Sequence, residues 1–496
     1  MINLLEINGY KENNRIEAKK ATGGFPQSLW ATYSSFANTD GGIILLGVIE
    51  KDDKTLQVIG LDEPDKLISD FWNMINNPQK VSINVLSDRN VQVHDDSDKK
   101  YISIEVPRVD RELRPIYLNE KPYNETYRRN GEGDYHCSAE EIDAMFRDRS
   151  VKTQDMLVLE KMDNSVFNYD TVKTYRNRLL LTRPDHVWER LPDDEFLQKL
   201  GAIGFGDNKE QQPTAAGLLM FGNDYDIVNE YGNYFLDYQE QLDVDIRWTD
   251  RVNTSTGQWS GNVCDFYFKV MNKIAQTLKV PFKLNGDTRI EDTPVHEAVR
   301  EALVNCLVNA DYYGRCGVVI KRKISEITFE NPGGFRVPIE LAKSGGVSDP
   351  RNSVLMKMFN LLNIGDRAGT GVPNIIRVWE DEGFGEPQYE EIMNYSRTKL
   401  TLPLAFTSDK QAIKRKQAIK ASDKTKTSDK QAIKVSDKTQ LILSYFKVGN
   451  EYKSTEIASY IGLSTDRTRV YLKEMVDVGK IKSKGANKSK VYYLPE

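Results

Sequence analysis

At 496 residues with 39% hydrophobic side chains, the chain is long enough for several domains with cores of ordinary size. No run of about eighteen apolar residues occurs, which excludes a transmembrane helix, and the start Met1-Ile-Asn-Leu-Leu-Glu6 lacks the parts of a signal peptide. The net charge of −5 hides a split: Phe406 to the end holds twenty Lys/Arg against ten Asp/Glu, leaving 48 against 63 before it.

That separation points to a nucleic-acid partner better than the whole-chain charge does. Four cysteines, Cys137, Cys264, Cys306 and Cys316, are scattered without a CxxC pair, which suits a reducing cytoplasm. His94, His136, His186 and His296 show no HExxH spacing, so a zinc site is not expected. The expectation is a cytoplasmic protein with no membrane partner.

In chain order, Glu12-Asn-Asn-Arg-Ile-Glu17-Ala-Lys19 leads into Leu29, Trp30, Tyr33 and Phe36 at helical spacing. Phe36-Ala-Asn38-Thr39-Asp-Gly41-Gly42 reads as a turn, and residues 43–48 as a buried strand. Arg114-Pro115-Ile-Tyr117 and Thr126-Tyr127-Arg128-Arg129-Asn-Gly131 come next. Three acids from separated segments, Glu12, Glu17 and Glu50, are able to gather a divalent ion and activate a water. They read equally as exposed charges, with Glu50 in the acidic turn Glu50-Lys-Asp52-Asp53. Lys19, Arg128 and Arg129 are candidate phosphate contacts or ordinary surface charge.

Residues 1–145 resemble the Schlafen AlbA-type domain, chiefly through the Ala-Asn-Thr-x-Gly-Gly run. The resemblance implies nucleic-acid binding. In the Schlafen nucleases, two glutamates five apart and an acid just after the Gly-Val strand form a metal-dependent RNase site. Here Glu12 and Glu17 have that spacing, and Glu50 stands where an Asp is usual.

Residues 146–225 read as a helical connecting region, with helices expected over 155–161, 169–180 and 193–200. Thr214-Ala-Ala-Gly217-Leu-Leu-Met-Phe221-Gly222 resembles the AGLLLFG segment that joins two domains in a regulator family.

Further on, Glu297, Glu301, Asn305 and Asn309 recur every four residues. In a helix that spacing puts four polar groups on one stripe, with Val299, Leu303, Val304, Leu307 and Val308 opposite. Such a row is able to hold a hydrated Mg²⁺ and orient a water, or is simply a solvated face. Two glycine clusters come after it: Glu330-Asn331-Pro332-Gly333-Gly334 after a strand-like run, and Gly365-Asp-Arg367-Ala-Gly369-Thr370-Gly371 opening a helical stretch. Glycines let backbone approach a ligand closely, and those opening a helix offer N–H groups to phosphate.

This order, over residues about 290–405, resembles the GHKL-type ATP-binding fold in the divergent version found in transcriptional regulators, and the domain is set at residues 226–405. The resemblance implies ATP and Mg²⁺ as cofactors, Glu301 as general base and Asn305 as Mg²⁺ ligand. It places Asn309 beside them, Asn331 as the adenine-reading position followed by Gly333, Gly369 and Gly371 in the phosphate lid, and Thr398 supporting the adenine. A one-residue shift would make the adenine reader Glu330. The family's His-Arg-Asp-Tyr is Asn309-Ala310-Asp311-Tyr312 here, and an amide accepts from adenine less strongly than a carboxylate. Nucleotide binding, with weak hydrolysis at most, is the expectation.

Ser408-Asp-Lys-Gln-Ala-Ile-Lys414 recurs as Ser428-Asp-Lys-Gln-Ala-Ile-Lys434. Residues 406–436 are lysine-rich and poor in bulky apolar groups, so a flexible or weakly helical linker is expected. Residues 437–496 resemble a winged helix-turn-helix, with helices over 439–446, 454–461 and 465–478 and a basic hairpin. Thr465, Arg467, Thr468 and Arg469 would face a major groove, and Lys482, Lys484, Lys488 and Lys490 would line the wing. The fold class is thus multidomain α/β (α+β). The function expected is an ATP-binding regulator whose DNA binding responds to nucleotide, with RNA as a second partner and a homo-oligomer as a possible assembly. The alternative is a metal-dependent RNase or DNase, using Glu12, Glu17 and Glu50 and gated by nucleotide.

Overall fold

The computed structural model describes residues 12–96, 98–243, 245–278, 284–285, 288–289, 293–365, 368–392, 396–404, 445–446, 450, 452–461, 465–477, 481–485 and 490–494. The chain divides into two compact units, Met1–Ala405 and Phe406–Glu496.

In the N-terminal part of the first unit, β1 (Ile16–Lys19), β2 (Gly42–Leu46), β3 (Val91–Asp96) and β4 (Lys99–Val106) form one sheet, ordered β1-β2-β4-β3 among the described residues. β1 and β2 run parallel, with Ile16 opposite Ile43, and the other pairs are antiparallel. A parallel pair needs a crossover, and helix α1 (Ser28–Asn38) supplies it. α1 is buried along its length, so even its polar residues have internal partners. Thr32 and Ser35 donate to Asp134, and the Asn38 amide donates to the Ile116 and Tyr127 carbonyls. The Asn38-Thr39 pair is therefore a structural brace: Asn38 Oδ1 accepts from Ile116 N and Thr39 Oγ1 accepts from Arg129 N.

The single strand expected over 43–48 is instead two. Gly47 turns with φ +83°, and Val48–Glu50 leaves the sheet to pair with Leu56–Val58. The helix expected over 155–161 is only a 3₁₀ turn, Gln154–Met156. Asp155 is engaged elsewhere: its carboxylate accepts from Val354 N and Leu355 N at the start of a distant helix, satisfying two amides that have no partner within that helix. Burial raises the Asp155 carboxyl above the usual range, and the Thr153 hydroxyl and those amides oppose the rise.

The second part of this unit has one apolar core running from Leu159 to Leu402, so the segment read as a connector shares its core with the sheet and helices C-terminal to it. Among the described residues that sheet has β5 (Leu236–Gln241), β6 (Asp250–Asn253), β7 (Val318–Lys323), β8 (Glu326–Pro332), β9 (Gln388–Ile392) and β10 (Arg397–Pro403), ordered β6-β5-β7-β8-β10-β9. Strand alternation gives it two unlike faces. Ile320, Phe329 and Leu400 lie opposite one another on the buried face, and Lys321, Thr328 and Thr401 on the other. Helices α2 (Val263–Thr277), α3 (Pro294–Val308), α4 (Ser353–Leu361) and α5 (Gly371–Glu382) pack with the buried face, α3 touching the other three and β8.

In the second unit, β11 (Tyr452–Lys453), α6 (Ser454–Ile461), α7 (Thr465–Asp477), β12 (Lys482–Lys484) and β13 (Val491–Tyr493) are described. The strands form an antiparallel sheet ordered β11-β13-β12, so the expected hairpin is present. Phe446, Ile457, Leu472, Met475, Ile481 and Tyr492 build its core. Nearly all of the helix expected over 439–446 and all of the 406–436 linker lie outside the described residues.

Candidate functional site

α3 begins with Thr293 as cap and Pro294 at its first position, where the fixed φ costs nothing. Its apolar residues enter the core, with Val299, Leu303, Val304, Leu307 and Val308 all buried. The polar stripe faces out of that core: Glu297 is exposed, while Glu301, Asn305 and Asn309 are half-buried.

Those last three line a cavity of about 160 Å³. Asn331, Gly369, Gly371 and Thr398 line it too, so seven of the residues singled out in the sequence meet in one place. Phe329, Leu400, Met356 and Ile375 supply apolar wall. Gly333 does not reach this cavity and lines a neighbouring one.

Asn331 and Thr398 are direct partners across β8 and β10, so their side chains share a face. The Asn331 amide nitrogen donates to the carbonyls of Asn309 (3.4 Å) and Pro332 (3.2 Å), which leaves the amide oxygen as its acceptor. Strand parity separates Asn331, which lines the cavity, from Glu330. Glu330 projects to the opposite face, where Arg397 and Lys321 hold it at 2.6 and 3.3 Å.

Asn305 Nδ2 donates to Glu301 Oε1 at 3.1 Å, a link between helix neighbours four apart. The Glu301 carboxylate lies against the first residue of α5. A Cβ on Gly371 would fall 2.0 Å from Glu301 Oε1, so a side chain there would push the carboxylate aside. A carboxylate there is favoured by the positive end of the α5 dipole. Gly369 has φ +72°, and a Cβ on it would strike the Val347 backbone at 2.6 Å.

Two contributors carried no signal in the sequence. Arg351, 4% exposed, donates from Nε to the Asn309 carbonyl, from its backbone N to Asn309 Oδ1, and from Nη2 to the Gly334 carbonyl. It fixes the end of the polar stripe against the glycine turn. Tyr389 lines the cavity with its hydroxyl shielded from water and without a hydrogen-bond partner among the described residues, and burial pushes that hydroxyl well up, with Glu301 adding to the rise. The sequence-distant Arg147 meets Asp311 at 2.7 Å, so a cation does stand beside this segment, although the chain lacks the family's local one.

The N-terminal acids have a different fate. Burial raises the Glu12 carboxyl, its hydrogen bond from Ala18 N opposes that, and the nearby Glu17 and Glu50 charges raise it further. The three acids are therefore neighbours. Glu17, however, is taken up by Lys19 at 2.6 Å and Arg129 at 2.8 Å. Glu50 pairs with Lys54 at 3.1 Å through one oxygen, and its other oxygen is shielded and has no partner among the described residues. Among the described residues no group of three or more His, Cys, Asp or Glu side chains is disposed to hold a metal. Of the three acids expected to gather an ion, Glu17 is held by two cations, while Glu12 accepts from the Ala18 amide and Glu50 pairs with the exposed Lys54. Arg129 is likewise not surface charge. It is 3% exposed, between Glu17 and Asp134. Arg128 faces the cavity that Gly333 lines, 3.3 Å from Glu141.

The family comparisons divide the chain in a similar way. Residues 12–138 match the family described as "Schlafen, AlbA_2". Residues 317–402 match HATPase_c_4, described as "Putative ATP-dependent DNA helicase recG C-terminal". The chain carries a Schlafen AlbA_2 domain and a HATPase_c_4 domain. Residues 143–237 match a domain of unknown function, DUF8451, and residues 438–490 match "FaeA-like protein". The HATPase_c_4 match starts after α3, so the polar stripe precedes the matched segment. No curated protein matches the chain. Among solved structures it is similar to the DIP2311 protein from Corynebacterium diphtheriae, at 14% identity and TM-score 0.38, covering 97% of this chain and 95% of that one. It is also similar to the N-terminal domain of a "Putative ATP-dependent DNA Helicase RecG-related Protein" from Nitrosomonas europaea, at 30% identity and TM-score 0.21, covering 27% of this chain and 90% of that one. No helix among the described residues is long and apolar enough to cross a membrane.

In the second unit, Arg467 and Arg469 fall on α7, where Arg469 is exposed. Lys482 and Lys484 are exposed on β12, and Lys490 lies with Nζ 5.5 Å from the centre of the Tyr492 ring. Lys488 lies outside the described residues. Thr468 does not face outward as expected. It is fully buried, one helical turn before Leu472 on the same side of α7.

Proposed function

We propose that this protein is an ATP-binding, nucleic-acid-binding regulator in which nucleotide controls the grip on DNA. The observation that carries the reading is the meeting of Glu301, Asn305, Asn309, Asn331, Gly369, Gly371 and Thr398 around one cavity. In this hypothesis the adenine lies between the apolar wall and the Asn331–Thr398 pair, with the Asn331 oxygen accepting from its amino group. The phosphates lie toward Gly369 and Gly371, at the start of α5.

The oxygen donors on α3 fit an ion that keeps most of its waters and completes its shell with phosphate oxygens, as Mg²⁺ does. Asn305 would be its protein ligand, and the ion would neutralise phosphate charge. Glu301 stands one turn away and orients Asn305 through their hydrogen bond. With an amide at the adenine-reading position, binding dominates over turnover.

For nucleic-acid binding, the AlbA_2 match and the basic C-terminal segment are the support. In this proposal residues 437–496 act as a winged helix-turn-helix, with Arg467 and Arg469 on the recognition helix and Lys482, Lys484, Lys488 and Lys490 on the wing. Nucleotide shifts DNA affinity only through unequal affinity for two states of the protein. The test is DNA binding with and without ATP and Mg²⁺, across a salt series. Equal affinity and equal salt slope in both conditions would reject the coupling, and no ATP binding at all would reject the site.

A further inference from the structure

Behind the Gly333–Gly334 turn lies a second cavity, of about 90 Å³, between the AlbA_2 and HATPase_c_4 domains. Five guanidinium groups line it, those of Arg108, Arg111, Arg114, Arg128 and Arg351, against the three carboxyl groups of Glu141, Asp148 and Glu391. Such a density of like charge, shielded from water, raises the question of what balances it.

Four of the five have a carboxylate. Arg108 meets Asp40 at 3.2 Å, Arg111 meets Asp349 at 2.5 Å, Arg128 lies 3.3 Å from Glu141, and Arg351 meets Asp148 at 3.1 Å. Arg114 has none within ion-pair distance among the described residues. One Nη donates at 3.5 Å to the Asn38 carbonyl, a weak contact. Burial first, then the Arg108 charge, holds its guanidinium below the ordinary value, at about 10, with Arg351 adding to the fall while Glu391 and Asp148 oppose it. Glu391 is itself pushed up by burial, against the pull of Arg108 and Arg114.

The hydrogen bonds point the same way. Arg108 Nε, Arg114 Nε, Arg128 Nε and Arg128 Nη1 are shielded from solvent and have no acceptor in hydrogen-bonding geometry among the described residues. A buried donor left unmade costs about 1–3 kcal/mol, and more when charged. Water would accept from these groups but would not offset their repulsion. A small tetrahedral oxyanion does both, and guanidinium groups recognise phosphoryl oxygens by paired donors.

We propose that this interdomain cavity is a binding site for a single phosphoryl group, with Arg114 its principal cation and Arg108 and Arg128 supplying further donors. The group comes either from a free phosphorylated small molecule or from the phosphorylated end of a nucleic acid. The site is separate from the nucleotide cavity, which none of Arg108, Arg114 and Arg128 lines.

The experiment is calorimetric titration of the full chain at constant ionic strength. The probes are inorganic phosphate and a short single-stranded oligonucleotide with and without a 5′-phosphate. Phosphate should bind, with affinity at least tenfold weaker in Arg114→Gln and unchanged in Asn305→Ala. Arg114-dependent binding of the 5′-phosphorylated oligonucleotide alone supports the site and assigns it to a nucleic-acid end. Should Arg114→Gln fail to fold, Arg108→Gln is expected to weaken binding at least threefold. Binding that ignores the substitution available, or no binding of either probe, overturns the proposal. Asn305→Ala, which bears only on the ATP reading, keeps the two failures apart.

Discussion

Two rows of acidic and polar residues, one on α3 and one near the N-terminus, have similar chemistry in the sequence and different lives in the fold. On α3 the spacing of four places Glu301, Asn305 and Asn309 on one side of a helix whose other side is fixed in the core. Their polar ends open into a cavity. Near the N-terminus Glu12, Glu17 and Glu50 also come close, but Lys19, Arg129 and Lys54 arrive with them. Acid spacing brings groups together; whether they are free for a ligand depends on which cations the rest of the chain brings to the same place.

The largest expected effect comes from attacking the closed cluster. Arg129→Ala leaves Glu17 and Asp134 without a buried cation they both bond, at 2.8 and 2.9 Å. Breaking a buried pair costs about 3–5 kcal/mol. The loss should fall at the low end, because Glu17 keeps Lys19 and Asp134 keeps the Thr32 and Ser35 hydroxyls. Urea unfolding checks it. Unchanged stability with impaired nucleic-acid binding would reverse the comparison, making this cluster the open one.

The opposite pattern is expected of Asn305→Ala. Its side chain is half-buried at a cavity edge and, among the described residues, bonds Glu301 alone, so stability should move by less than about 1 kcal/mol. ATP affinity in the presence of Mg²⁺ should fall about tenfold, equivalent to about 1.4 kcal/mol. Equilibrium nucleotide binding and urea unfolding on the same samples separate the two. A large stability loss with unaltered nucleotide binding would make α3 a structural ladder instead.

How much of this was legible in the sequence depends on the range of each signal. The helix period of Glu297 to Asn309 is local, and α3 formed where it put a helix, whereas β8 runs on through Glu330, Asn331 and Pro332, which the sequence assigns to the glycine turn. Parity along β8 puts Asn331 and Glu330 on opposite faces, but which of them meets the cavity is fixed only by the pairing with β10 and the packing of α3. Arg351 and Asp155 were not legible. Arg351 acts on Asn309, more than forty residues earlier, and Asp155 caps a helix about two hundred residues later. Neither stands in a pattern with its partner, since contacts of that separation are set by packing of the whole unit. The helix misread over 155–161 has the same origin.

The smallest effect tests whether the acids of the closed cluster strain the fold by their own proximity. Burial, followed by the charges of Glu17 and Glu50, raises the Glu12 carboxyl above its unfolded value. The folded state therefore binds a proton there more tightly than the unfolded chain does. That stabilisation is fully present below the unfolded value of about 4.5 and fades as pH rises through the folded one. Glu12→Gln removes the charge while its side-chain oxygen can still accept from Ala18 N. The variant should be slightly more stable than the parent at pH 7, and the gain should vanish as pH falls toward 4.5, where the parent protonates. Thermal unfolding at both pH values reads the difference. A Glu12→Gln variant less stable at pH 7 would mean that Glu12 stabilises the cluster as an anion, and that its neighbourhood is more cationic than Lys19 alone makes it.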